Sequence, residues 1–197
     1  LYLLGPDNTQ ARHFVWASCN LALQLEDGVT LKAPAPAPRG QPRMDVQMER
    51  LPEVAGSTFR WHKNCVLPRM RITIAHNGGT SLESAAVRLS AVVVDPLTST
   101  ARNVGLEGVS VRPVVHGECT FSSLAFKTTS YNLPGRPSVH LLASLLVQDP
   151  SGAHGDAAVM VASSVISPAL TVDARKRHQN GTSKAAIATG DRAEDGE

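Results

Sequence analysis

Arg69-Met-Arg-Ile-Thr-Ile-Ala75 (RMRITIA, residues 69–75) is the stretch on which the fold class turns. Met70, Ile72 and Ile74 fall on one side and Arg69, Arg71 and Thr73 on the other, the period of two that a half-buried β-strand requires. His76-Asn-Gly-Gly79 then turns the chain. Beyond it, Ala86 to Val94 reads as a second strand closed by Asp95-Pro96. Gly108 to Arg112 begins a third, with Pro113 implying an edge or a bulge. Phe121 and Leu124 to Thr128 supply a fourth segment.

Tyr131-Asn-Leu-Pro-Gly-Arg-Pro137 is dense in residues that fix or invert φ and is predicted to be a loop. Val139 to Val147 and Ala157 to Ala162 are two further apolar strands, joined by Asp149 to Asp156 as a hairpin connection, and a last short strand surrounds Leu170 and Val172. No helical face of useful length and no internal repeat interrupts this series. About seven strands without βα alternation predict an all-β fold, an antiparallel β-sandwich over residues 59–178.

Upstream, residues 1–58 are poorly patterned. Phe14-Val-Trp16 and Leu21 to Leu25 alternate well enough for one or two strands, and Glu26-Asp27-Gly28 is a turn signal before Val29-Thr-Leu31. From Ala33 to Pro42 a proline stands at nearly every second position, which removes backbone donors and favours an extended linker or long surface loop. Downstream, residues 179–197 are small and polar with only Ile187 bulky, so the tail is predicted to be disordered.

The chain has 197 residues, enough for one core with flanking segments. It opens on Leu1, which reads as a piece of a longer product. No apolar run approaches the ~18 residues of a membrane-spanning helix. Cys19, Cys65 and Cys119 are widely spaced and odd in number, which favours a reducing compartment; the sequon Asn180-Gly181-Thr182 points the other way, to an extracellular, glycosylated protein. The formal charge is only +2, but from Phe59 to His178 twelve Lys or Arg stand against seven Asp or Glu.

Catalytic motifs are missing. GxSxG, HExxH, P-loop, GxGxxG and paired CxxC patterns do not occur, the seven histidines are scattered singly, and His62 with Cys65 lacks the second ligand pair of a zinc site. The expectation is a non-enzymatic protein with no metal and no cofactor. What stands out is basic loops. Arg60, His62 and Lys63 surround Trp61 just before the first strong strand, Lys127 closes one strand, Arg136 sits in the following Pro-Gly loop, and Arg175, Lys176 and Arg177 follow the last strand. Such groups suit phosphate, and arginine also reads guanine bidentately; on loops they equally serve as ordinary solvation, and the 175–177 cluster equally as a nuclear import signal.

Phe59-Arg60-Trp61 with Cys65 resembles the Phe-Arg-Tyr-x-Cys recognition loop of Rel-like factors, and Ser167-Pro168 to Arg177 resembles the closing strand and basic exit of immunoglobulin-like, p53-like transcription factors. The likeness covers about residues 55–178. It implies a sequence-specific DNA-binding domain of a nuclear transcription factor, with duplex DNA held by Arg60, His62, Lys63, Arg175, Lys176 and Arg177. The rival expectation is a protein-interaction or adhesion module on the same sandwich.

Overall fold

The computed structural model describes residues 14–33, 42–63, 65–76, 82, 84–148 and 159–174. Most of the proline-rich strip, the turn after His76, the Asp149–Asp156 connection, Arg175 to Arg177, the sequon and the tail lie outside them.

Alternating burial makes strands throughout. The first five are β1 (Ala17–Ser18), β2 (Ala22–Gln24), β3 (Thr30–Leu31), β4 (Arg43–Met48) and β5 (Glu53–Ala55). They are followed by β6 (Thr58–His62), β7 (Met70–Ala75), β8 (Ala86–Asp95), β9 (Thr100–Asn103), β10 (Leu106–Glu107) and β11 (Val111–Pro113). The rest are β12 (Glu118–Phe121), β13 (Ala125–Phe126), β14 (His140–Gln148), β15 (Val159–Ile166) and β16 (Leu170–Asp173), with one 3-10 turn at Ser130–Asn132 between β13 and β14. The fold is all-β, with no α-helix among the described residues.

The strands form one large sheet in the order β1-β15-β14-β8-β9-β2-β3, with β11 also on β8, two three-stranded sheets, β12-β7-β4 and β16-β6-β5, and a β10-β13 pair. Among the described residues eleven segments, β6 to β16, fall between Thr58 and Asp173, where about seven strands were expected. Many are fragments of one run. The chain from Thr100 to Pro113 follows β8 twice, but left-handed backbone at Gly105 (φ +88°) and Gly108 (φ +97°) lifts Leu106–Glu107 away to pair with β13. A Cβ at Gly108 would stand 2.6 Å from the Ser123 carbonyl oxygen, so glycine permits that departure. The sheets draw on residues either side of position 58: β1 pairs with β15, β2 with β9 and β4 with β7.

The main core lies between the large sheet and the two three-stranded ones, a sandwich-like arrangement. Val87, Leu89 and Ala91 of β8 and Leu141, Ala143 and Leu145 of β14 meet Met70, Ile72, Ile74, Phe121, Trp61 and Val172 there. RMRITIA behaves as its alternation requires, with Met70, Ile72 and Ile74 buried and Arg71 exposed. On the opposite face of the large sheet Leu23, Val92, Ala101 and Leu142 form a second, smaller cluster. Burial on both faces is why β8 and β14 read as near-continuous apolar runs.

Candidate nucleic-acid interface

The segment read as a basic aromatic loop is mostly strand. Thr58–His62 is β6, and the reason is the period of two it shares with RMRITIA: Phe59 and Trp61 are buried, Arg60 and His62 half-buried on the other side. Phe59 packs edge-on against Phe14, ring centroids 5.0 Å apart, and Trp61 Nε1 donates to the Cys65 carbonyl at 3.1 Å. Arg50 covers the Trp61 ring from 5.2 Å. Trp61 is therefore a core anchor rather than a contact residue.

The aromatic anchors hold β6 beside β16. These two strands run parallel, with Phe59 opposite Leu170 and His62 opposite Asp173. Consequently the end of β6 and the exit of β16 come to one place. Arg60 Nε lies 2.9 Å from Asp173 Oδ2, the Lys63 backbone N–H donates to the Asp173 carbonyl at 2.7 Å, and His62 Nδ1 donates to the Ala174 carbonyl at 3.2 Å. Glu53 of β5 stands 3.9 Å from His62 Nε2. Among the described residues Lys63 has no ion-pair partner.

The other flank of β16 is bordered by the loop carrying Arg136. Val139 and Leu170 exchange both backbone bonds, and the Val172 N–H donates to Ser130 Oγ at 3.0 Å. The Arg136 guanidinium sits 4.2 Å from the ring centroid of Tyr131, which is 68% exposed. Gly135 and Arg136 both have left-handed backbone (φ +74° and +50°), a conformation that costs a non-glycine residue free energy and fixes the direction of this arginine.

The structure thus gathers Arg60, His62, Lys63 and the Arg136 loop around β16. Arg175, Lys176 and Arg177 lie outside the described residues, immediately after it. Lys127 belongs to a separate set of contacts: its ammonium holds Glu26, in the turn between β2 and β3, at 3.1 and 3.2 Å. Asp173, Ser130 and Tyr131 were not singled out from the sequence. An acid just before a basic cluster was the one available signal, for Asp173; the serine and tyrosine carried none.

Among the described residues no group of three or more His, Cys, Asp or Glu is placed to hold a metal ion, and no helix is long and apolar enough to cross a membrane. No protein-family model matches this sequence, and no curated protein matches it.

Proposed function

We propose that this chain is a non-enzymatic, immunoglobulin-like DNA-binding domain of a nuclear transcription regulator, which grips duplex DNA where β6 ends and β16 leaves the sheet. One observation carries the reading: the parallel pairing of β6 with β16 sets the Arg60-to-Lys63 edge against the strand that runs into Arg175-Lys176-Arg177. Arg60, His62 and Lys63 lie along that edge, and the Arg136–Tyr131 stack borders the other flank of β16. Phosphates would take the mobile charge of the lysines, and arginine planes would read base edges or stack on them. Asp173 holds Arg60 in place and discounts its charge, so Arg60 is an aligned reserve rather than the strongest contact.

The rival reading, a protein-interaction module, is favoured by the acids that already neutralise Arg60 and Lys127. A labelled random duplex pool, incubated with the chain at two salt concentrations and sequenced after retention, separates them. Enrichment of a short motif supports DNA reading. Replacing Arg175, Lys176 and Arg177 by alanine should then flatten the salt dependence by up to about three units of log–log slope, near one per lost phosphate contact. Asp173→Ala, which releases Arg60, should tighten binding and steepen the slope. No retention at low salt sinks the DNA reading and leaves the protein-interaction module.

A further inference from the structure

The large sheet does not stay open. Leu23 of β2 shares the second apolar cluster with Leu142 of β14, although β8 and β9 lie between those strands in the sheet. Glu26 and Asp27 of the β2–β3 turn line one cleft with Arg88 and Ser90 of β8, so the sheet curls and carries the hairpin turn over the outer face of β8. Beneath the hairpin turn lies a cleft of about 330 Å³, lined among others by Glu26, Arg88, Ser90, Asn103, Ser110 and Lys127.

Arg88 is the anomaly in this cleft. It projects from β8 between Val87 and Leu89, on the face opposite the main core, and its Nε is sealed from solvent with no hydrogen-bonding partner among the described residues. No carboxylate lies within ion-pair distance of it there. The nearby acids are engaged: Glu26 holds Lys127, and Asp27 Oδ1 accepts the Val29 N–H at 3.1 Å in its own turn. Asn103 Oδ1 accepts the Gly105 N–H at 3.1 Å, which leaves its NH2 as a donor. Arg88 as a whole is half-buried, but a guanidinium N–H sealed from water without an acceptor is costly, and an acceptor group brought by a ligand removes that cost.

The rim depends on a glycine. A Cβ at Gly105 would collide with Glu26 Oε1 and would stand 2.5 Å from Lys127 Cδ. Glycine there, in a left-handed conformation, is what lets the Glu26–Lys127 pair lie across the backbone at the mouth. From this geometry we infer that the cleft is a binding site for a small oxyanion, a carboxylate or phosphate group, received by the Arg88 fork with Asn103, Ser90 and Ser110 as neutral partners. Its volume is at the small end for ligand pockets, which suits a compact metabolite over a nucleotide. Guanidinium geometry matches either oxyanion bidentately.

The test is a titration of the full chain, labelled with 15N-arginine, with inorganic phosphate in one arm and succinate in the other. The Arg88 Nε–H signal, assigned by its loss in Arg88→Lys, should move and saturate in at least one arm. Saturation with phosphate alone identifies a phosphate-bearing ligand; with succinate alone, a carboxylate. Arg88→Gln should weaken that binding at least about tenfold, the order expected for a lost charged hydrogen bond. An Arg88 signal that stays put in both arms, or that drifts with every other arginine without saturating, overturns the site. So does unchanged affinity in Arg88→Gln.

Discussion

Ser167 shows how much a single hydroxyl contributes here. It stands just before Pro168, which has no N–H to continue a ladder. Ser167 Oγ accepts the Leu141 N–H and donates to the Pro168 carbonyl, both at 2.9 Å, while the Ser167 N–H donates to the Leu141 carbonyl at 2.9 Å. Ser130 does the same service for Val172. Both serines are buried, so their loss orphans a backbone donor that water cannot reach. Ser167→Ala and Ser130→Ala are each expected to cost about 1–3 kcal/mol, read as a lower urea midpoint at unchanged slope. A change inside measurement error would mean that neither hydroxyl holds its strand. The Arg60–Asp173 pair, more than a third exposed on both sides, is worth at most about 1 kcal/mol to the fold and matters for charge placement instead.

At the scale of elements, β16 is the piece on which both core and interface depend. Leu170 and Val172 are fully buried, and alternate backbone groups face opposite neighbours: Leu170 and Val172 donate toward the Val139 and Ser130 side, which leaves Thr171 and Asp173 to face β6. Thr171→Pro removes a donor from the β6 side and is expected to destabilise by about 3 kcal/mol more than Thr171→Ala, measured by urea unfolding followed through tryptophan fluorescence. Equal effects of the two substitutions would show that the β6–β16 ladder contributes little. β6 itself had its alternation in plain view as Phe-Arg-Trp-His. Its charged positions drew it toward a loop assignment, because Arg60 and His62 look solvated until Asp173 and Ala174 arrive from a distant strand.

At the scale of the whole molecule, thiols sit in or against both apolar clusters: Cys119 is buried in the main core, Cys65 packs against its edge, and Cys19 packs against the second. Burial pushes the Cys19 and Cys119 thiols up to about 11 from the usual 9.0. The sign follows. Below pH 9 these two thiols are neutral in folded and unfolded chain alike, and they add no pH dependence to stability there. As pH rises from about 9 toward 11 only the unfolded chain releases these protons, and stability falls. The urea midpoint should therefore drop through that window, and less steeply in a Cys19→Ala, Cys119→Ala double variant; identical slopes would contradict the assignment. What the sequence determined alone was local: period-two alternation made RMRITIA and its neighbours strands. The bounds of β7, β8 and β14 lay close to what alternation and turn residues imply. What the tertiary structure decided was pairing. That residues before position 58 complete the sheets, that β6 lies parallel to β16, and that Lys127 holds Glu26 while Arg88 meets no acid among the described residues all depend on which surfaces meet. Alternation fixes which face of a strand seeks an interior, but not which strand it will find there, because the pairing energy resides in contacts between residues far apart in the chain.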